Sequence, residues 1–245
     1  MVEQPIIAMI KQALQDVNSR IQQACSTNHR NPQGVTLLAV SKTFGPEAVR
    51  EALACGQTRF GENYVQEALD KIEALQDVRE QIEWHLIGPL QSNKTRVVAE
   101  SFDWVQSVDR LKIADRLSEQ RPAHLPPLNV LIQVNTSGEA SKSGLMPDEA
   151  LALARAISAL PRLKLRGLMA LPAPEADEAV QKQAHHRLLT LFDQLQGQGM
   201  GLDTLSMGMS ADLEAAIAEG STMVRVGTAI FGGRPRAAPA PEAAA

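Results

Sequence analysis

Apolar residues along this chain form short β-rich runs that alternate with helical patterns. The first run spans residues 35–43, V-T-L-L-A-V-S-K-T, and its centre is continuously apolar. Such a run indicates a strand that is buried on both faces, as in a parallel sheet covered by helices. With a strand period of two, Lys42 shares a face with Leu38 and Val40 and emerges at the carboxyl end of the strand. A lysine in this position most often extends from the rim into solvent.

The alternation of strands and helices continues to residue 226, and it predicts eight strands, each separated from the next by a helix. The predicted strands are the opening run and residues 58–61, 83–87, 104–108, 129–134, 163–171, 204–207 and 223–226. The predicted helices between them are residues 47–55, 64–75, 92–101, 111–120, 148–160, 178–195 and 212–218. An additional amphipathic helix precedes the first strand, with apolar residues at steps of three and four: Ile6, Ile10, Leu14, Val17 and Ile21.

Strict alternation of strands and helices is typical of α/β proteins with parallel strands and right-handed crossovers. Eight such units are the number that closes a barrel. The alternative is an open doubly wound sheet, but no G-x-G-x-x-G follows the first strand to favour it. We therefore predict a (β/α)8 TIM barrel with an extra N-terminal helix, as a single domain over residues 1–233. Residues 234–245 are rich in Ala and Pro, and we predict that they are disordered.

Composition narrows the class of protein. With 44% hydrophobic residues and no long apolar segment, the chain is typical of a soluble globular protein. It lacks the pattern of a signal peptide, so we expect a cytoplasmic location without membrane contact. The two cysteines, Cys25 and Cys55, show no metal-ligand spacing, and no metal site is expected. A net charge of −4 and only 3% aromatic residues argue against nucleic-acid binding.

Polar residues collect where the predicted strands end, which is the face of a (β/α)8 barrel that carries the chemistry. They are Ser41 and Lys42, Asn63, His85, Asn135, residues 206–210 and residues 225–228. The loops after strands seven and eight commonly bind phosphate in such barrels. Ser210 is placed to cap the next helix, whose N-terminal amides favour an anion, but Asp212 and Glu214 could satisfy the same helix dipole. A phosphate site and a plain helix cap therefore remain alternatives.

A lysine beside a phosphate site suggests a Schiff base, because burial can lower the pKa of an amine and free its lone pair. Two classes of ligand fit this chemistry. One is an aldehyde cofactor such as pyridoxal phosphate, and the other is the phosphosugar of an aldolase.

Six motifs in order decide between these classes. They are A-V-S-K-T at 39–43, F-G-E-N-Y-V-Q-E at 60–67, W-H-L-I-G-P-L-Q-S-N-K at 84–94, residues 135–144 ending in A-S-K-S-G, L-S-M-G-M-S-A-D at 205–212 and V-R-V-G-T-A-I-F-G at 224–232. Together they resemble the pyridoxal phosphate homeostasis proteins, also called the proline synthase co-transcribed family, whose barrel is related to alanine racemase. Any one motif alone would be weak, whereas the ordered set is specific.

The resemblance implies a fold type III barrel with pyridoxal 5′-phosphate held as an aldimine on Lys42. It implies that Ser210, Gly227 and Thr228 bind the phosphate and that Arg225 faces the pyridine nitrogen. Because an arginine does not give up its proton, the ring nitrogen would stay unprotonated and the ring would be a weaker electron sink. The remaining residues that match positions lining the pocket are Asn63, His85 and Met207.

Several of these residues also have simpler interpretations. His85 could be a core histidine bonded to a backbone carbonyl, and Asn63 could cap the helix that starts near Tyr64. Lys142 could be a solvated charge. The adjacent pair at 185–186 has no matching ligand pair, so we interpret both histidines as surface residues.

The resemblance further implies that the protein buffers or delivers pyridoxal phosphate without a turnover reaction of its own. Its partners would be the cofactor and apoenzymes that depend on it, with a monomer expected and a dimer as the alternative. The main alternative function is an alanine-type racemase, which needs an acid/base on each face of its substrate. We expect no C-terminal β-domain to supply the second base, and Tyr64 is a poor substitute at a helix start. An aldolase explains Lys42 but not the motif set.

Barrel closure supplies a geometric test of these expectations. Strands one and eight must pair, which would place Arg225 and Gly227 beside the strand that carries Lys42.

Overall fold

The apolar runs form one closed parallel barrel in the computed structural model, which describes residues 3–137 and 143–233. The strands are β1 (Thr36–Val40), β2 (Arg59–Glu62), β3 (Glu83–Leu86), β4 (Trp104–Val108), β5 (Leu128–Gln133), β6 (Leu163–Met169), β7 (Thr204–Ser206) and β8 (Met223–Val226). Each strand pairs with its neighbour in sequence, and β8 pairs with β1. The barrel is confirmed, and the open doubly wound sheet is excluded because its edge strands would not meet.

Helices cover the outside of the barrel at nearly the predicted positions. They are α1 (Glu3–Thr27), α2 (Pro46–Ala54), α3 (Val65–Ala74), α4 (Thr95–Ser101), α5 (Leu111–Gln120), α6 (Ala150–Ser158), α7 (Glu178–Gly197), α8 (Leu213–Ala218) and α9 (Thr228–Phe231). Short 3-10 turns occur at Pro32–Gly34, Gln76–Gln81, Ser92–Lys94 and Pro147–Glu149, and two of these replace the expected first turns of α4 and α6. Sequence did not predict α9, because four residues are too few to show a helical period.

The strands separate two layers of packing. Leu37 and Ala39 of β1 belong to the large core between sheet and helices, whereas Leu38 and Val40 pack with Ile87 in the barrel interior. The period-two prediction for β1 is therefore confirmed. It follows that the inner face of β1 leads directly to Lys42.

Polar side chains also occupy the barrel interior. His85, Gln106, Ser206 and Arg225 are all at most 2% exposed, and they are hydrogen-bonded to one another. Burial of such groups is tolerated because each finds a partner. The interior is thus a connected polar network rather than a uniform apolar core.

Three further expectations concern membrane-spanning helices, the adjacent histidines at 185–186 and two segments of the chain. No helix within the described residues has the length and apolar character needed to cross a bilayer. The surface interpretation is wrong for His185, which is buried and bonded to Asp212, and right for His186, which is exposed. The predicted disordered tail at 234–245 and Lys142 lie outside the described residues.

Candidate functional site

A cavity of about 650 Å³ opens at the carboxyl ends of the strands. We call it the rim cavity, and its volume is typical of small-molecule sites. Six of the eight residues expected from sequence line it, namely Lys42, Asn63, Ser210, Arg225, Gly227 and Thr228. Among its other lining residues, which sequence did not single out as ligands, are Phe44, Ile87, Gln133, Leu171 and Met209. The structure therefore brings together residues from both ends of the chain.

His85 and Met207 are not among the lining residues of the rim cavity. Met207 follows β7 and packs with Leu205 in the outer core, because strand alternation turns Ser206 rather than Met207 inward. His85 lies deeper in the barrel and is fully buried. It is a core histidine, as the simpler interpretation expects, but its partners are the side chains of Glu83 and Gln106 rather than a backbone carbonyl.

Closure between β1 and β8 positions Lys42. Leu38 is in register with Arg225, as the barrel predicts. Just beyond the paired strands, a Cβ at Gly227 would lie 3.0 Å from the carbonyl oxygen of Val40. Because so short a contact forces neighbouring atoms apart, glycine permits the loop after β8 to approach the end of β1. Lys42 is half-buried at this junction.

A buried ion-pair cluster lies next to Lys42. The Nζ of Lys71, a residue only 3% exposed, donates to the carbonyl oxygen of Ser41 at 2.7 Å. It also donates to Oε1 of Glu62 at 2.8 Å and to Oε1 of Glu67 at 2.7 Å. An ammonium group has three N–H donors, and all three are used. We call Glu62, Glu67 and Lys71 the Lys71 cluster.

The Lys71 cluster fixes the backbone on both sides of Lys42. The hydroxyl of Ser41 donates to Glu62 at 2.6 Å, and the amide of Thr43 donates to Glu67 at 2.6 Å. Thr43 has a φ of +69°, which is uncommon for a β-branched residue and costs on the order of 1–3 kcal/mol. The contacts to α3 offset this strain. Lys42 is therefore presented by a preorganised turn.

Burial raises the pKa of Glu62, although Lys71 and Ser41 act in the opposite direction. Its Oε1 accepts from both of these residues, while its Oε2 has no partner in the described part of the structure. The cluster thus places a buried carboxyl group immediately beneath the turn that carries Lys42.

Asn63 does not cap the helix that follows it. The N-cap of α3 is Tyr64, which makes no side-chain cap hydrogen bond, so the capping interpretation is wrong. The Oδ1 of Asn63 is buried and has no hydrogen-bond partner among the described residues. Because a buried polar atom without a partner is costly, a polar ligand in the rim cavity would complete this site.

Arg225 supplies a buried cation to the rim cavity. Its Nη1 donates to the hydroxyl of Ser206 at 2.6 Å, and its Nη2 donates to the carbonyl oxygen of Ala170 at 2.8 Å. Burial lowers the pKa of Arg225 to about 10, so the guanidinium remains charged at neutral pH. Within the described residues, no carboxylate forms a salt bridge with it.

The loop after β7 differs from the predicted helix cap. The N-cap of α8 is Asp212 rather than Ser210, and the carbonyl oxygen of Ser210 accepts from Arg20 of α1 at 3.0 Å. The Ser210 side chain is therefore not used as the cap of α8, and it lines the rim cavity. Gly227 is the N-cap of α9, and its carbonyl oxygen accepts from the amides of Ile230 at 2.8 Å and Phe231 at 2.9 Å.

The two acidic residues near this loop are engaged elsewhere. Asp212 accepts from the amide of Met209 at 2.6 Å and bonds His185 at 2.9 Å. Burial alone would raise the pKa of Asp212, but the bonds from His185 and Met209 hold it below its ordinary value. Glu214 pairs with Arg20 at 2.7 Å. Both carboxylates are thus already hydrogen-bonded, and neither Asp212 nor Glu214 is a lining residue of the rim cavity.

Comparisons with known proteins show the family to which the chain belongs. The family model for the N-terminal domain of alanine racemase matches residues 13–235. A protein of Pseudomonas aeruginosa named pyridoxal phosphate homeostasis protein is 58% identical over 234 residues, covering 96% of this chain and 100% of the relative. The chain belongs to the pyridoxal phosphate homeostasis protein family. The resemblance carried by the six motifs is confirmed.

This chain is also similar in structure to solved proteins. PipY of Synechococcus elongatus, a structure with PLP bound, is 37% identical with a TM-score of 0.75, covering 87% of this chain and 100% of PipY. An alanine racemase of Corynebacterium glutamicum has a TM-score of 0.67 at 18% identity, covering 94% of this chain and 62% of the racemase. At that identity the likeness to the racemase concerns the fold alone.

Proposed function

We propose that this protein binds pyridoxal 5′-phosphate in the rim cavity through Lys42 and serves pyridoxal phosphate homeostasis by buffering or delivering the cofactor. The observation that carries the proposal is that Lys42 and the buried cation Arg225 line one cavity. The proposal extends to a cytoplasmic monomer whose recipients are apoenzymes that depend on the cofactor.

The residues of the rim cavity fit this ligand. The Oδ1 of Asn63 is a buried acceptor without a partner among residues 3–137 and 143–233, and Gly227 leaves room where a side chain would press on β1. When bound, pyridoxal phosphate supplies an aldehyde carbon that condenses with a primary amine, with formation of a C=N bond and release of water. The amine of Lys42 is the nucleophile that the cavity offers.

Four further lining residues have chemistry that suits the phosphate or the ring of this ligand. Ser210 belongs to the loop after β7, and Gly227 and Thr228 follow β8. These are the loops where a barrel commonly binds phosphate. Arg225 has only donors, so it can hydrogen-bond a ring nitrogen without transferring a proton to it. This arrangement weakens electron withdrawal by the ring and favours storage of the cofactor over turnover.

The acid/base content of the rim cavity argues against racemisation. Lys42 and Arg225 are the only ionisable side chains that line it within the described part of the chain. Racemisation needs an acid/base on each face of a planar intermediate, and Arg225 stays protonated at neutral pH, so it cannot serve as the base. Tyr64 is 55% exposed and is not a lining residue.

The direct test is borohydride reduction of the purified protein loaded with pyridoxal phosphate, followed by mass spectrometry of its peptides. We expect a visible chromophore that the reduction bleaches and one pyridoxyl group on Lys42. The Lys42→Ala variant should be colourless, whereas Lys11→Ala, on the exposed face of α1, should match the parent. An unchanged spectrum in Lys42→Ala, or attachment to another lysine alone, would refute the role of Lys42.

A further inference from the structure

A continuous chain of side-chain hydrogen bonds crosses the barrel interior from the rim cavity to the opposite end. Arg225 donates to Ser206 at 2.6 Å, and Ser206 donates to Oε1 of Gln106 at 2.7 Å. The Nε2 of Gln106 lies 2.9 Å from Nδ1 of His85. The Nε2 of His85 lies 2.9 Å from Oε1 of Glu83. Glu83 lines a separate cavity at the amino ends of the strands.

The carboxylate of Glu83 determines the proton order, that is, which atoms of this chain of hydrogen bonds donate a proton and which accept one. The hydrogen bond from His85 and the nearby Arg59 lower the pKa of Glu83 despite its burial, so its carboxylate is ionised and only accepts. The Nε2 of His85 must therefore carry a proton. Burial lowers the pKa of His85 itself, so the ring holds a single proton and its Nδ1 is an acceptor.

The acceptor at Nδ1 then orients the next two residues. Gln106 must turn its amide N–H toward His85, which leaves its Oε1 facing the hydroxyl of Ser206. Ser206 gives its only proton to this oxygen and accepts from Arg225. A reversed Gln106 would place an oxygen against Nδ1 and would require a second proton on His85 inside the barrel.

The geometry points to Gln106 and Ser206 as positioning residues that orient Arg225 toward the rim cavity, with the Nε2–H tautomer of His85 fixing the direction of the chain. The two oxygens that bond the guanidinium, from Ser206 and Ala170, hold it from two sides. His85 thus acts on the cavity through Arg225 rather than by contact. The consequence for the cofactor rests on the proposed function, whereas the proton order does not.

The proton order can be measured on the protein without ligand. In the full-length chain labelled with ¹⁵N-histidine, we expect His85 to show an unprotonated Nδ1 and a protonated Nε2, assigned by loss of its signals in His85→Gln. The Gln106→Glu variant replaces the amide donor with an acceptor, so Nδ1 of His85 should become protonated. Gln22→Glu makes the same charge change on the exposed face of α1 and should leave His85 unchanged. A protonated Nδ1 in the parent protein, or an unchanged His85 in Gln106→Glu, would overturn the proposed order.

The positioning role is tested by cofactor retention. Ser206→Ala should weaken the retention of pyridoxal phosphate roughly 10-fold, as expected for loss of a hydrogen bond to a charged group, and should shift the visible absorption maximum. The conservative variant Ser206→Thr keeps the hydroxyl and should restore both properties. Unaltered retention and spectrum in Ser206→Ala would overturn the positioning role. If the parent protein retains no cofactor, the proposed function fails while the measured tautomer still decides the proton order.

Discussion

The ammonium group of Lys71 lies 2.7 Å from the carbonyl oxygen of Ser41, the residue immediately before Lys42. This contact joins α3 to the turn that carries Lys42. Lys71 itself has its three donors occupied by Ser41, Glu62 and Glu67. Of the two lysines in this region, only Lys42 lines the rim cavity.

Removing the charge of Lys71 should destabilise the protein strongly. Lys71→Met leaves Glu62 buried without its cation, and breaking a buried pair in this way typically costs about 3–5 kcal/mol. The double variant Lys71→Met with Glu62→Gln should recover part of the loss, because no uncompensated charge remains. Urea unfolding measures these differences. Lys182→Met removes an exposed pair with Glu178 and should change stability by less than about 0.5 kcal/mol. Equal losses from the two lysine variants would contradict the role assigned to the cluster.

A side chain at Gly88 should displace Asn63. A Cβ at this position would lie 2.0 Å from the carbonyl oxygen of Asn63, so Gly88→Ala forces the backbone to move. We expect a loss of about 1–3 kcal/mol in unfolding free energy, as for other overpacked sites, together with weaker cofactor retention. Gly201→Ala is the control, because no atom of the part of the chain that the structure describes lies within 4 Å of its added Cβ. Normal retention in Gly88→Ala would argue against a cofactor contact at Asn63.

His85 should make stability depend on pH below neutrality. Burial lowers the pKa of His85 in the folded protein from its ordinary value of 6.5, and the positive charge of Arg59 acts in the same direction. The negative charges of Glu83 and Asp103 oppose this shift. The unfolded chain therefore binds an extra proton between the folded pKa and 6.5, and stability falls as pH falls through that window. The slope from one such group is at most about 1.4 kcal/mol per pH unit. Denaturant unfolding across this range should show a shallower slope in His85→Gln and no change in His124→Gln, an exposed site.

The contribution of Asp212 to the free energy of unfolding should be lost in acid. Its folded pKa is depressed below 3.8, so its contribution is complete above that value and is lost as pH falls through the folded pKa. Asp212→Asn should therefore cost about 1–3 kcal/mol at pH 7 through its weakened bond to His185, and the difference should shrink in acid. Asp193→Asn, on the exposed face of α7, should be neutral at every pH. A cost that persists unchanged in acid would exclude the charge of Asp212 as its cause.

Exchange at the α-carbon of alanine should stay at background. With Lys42 as the only readily exchanging acid/base in the described lining of the rim cavity, a proton removed from one face has no donor on the other. Incubation of loaded protein with alanine in deuterated water, followed by mass spectrometry, measures the exchange. Incorporation at rates typical of enzymes would favour the racemase alternative.

The barrel and the position of Lys42 at its carboxyl-end rim were predictable from local pattern. The alternation of apolar runs gave the strand order, and the period of two placed Lys42 above Leu38 and Val40. The cluster around Lys71 was not predictable, because a lysine in a helical pattern ordinarily faces solvent. Its burial depends on Glu62 and Ser41, which come from other elements.

Register explains the remaining differences in the candidate site. Ser206 and Met207 are adjacent, and only the pairing of β7 shows that Ser206 turns inward to Arg225. The partners of His85 lie on β4 and on its own strand, so a sequence pattern shows its burial but not its connection to Arg225 through Gln106. Such contacts arise from tertiary packing across the barrel rather than from local propensity.

Pairing of Leu38 with Arg225 has a consequence for biosynthesis. The strands β2–β7 lie between these two residues in sequence, so a ribosome must synthesise all of them before β8 can meet β1. Loop-closure entropy makes so distant a contact costly to form in the unfolded chain. A nascent or truncated chain that lacks β8 would carry Lys42 without Arg225, so the rim cavity is complete only when the last strand has joined the barrel.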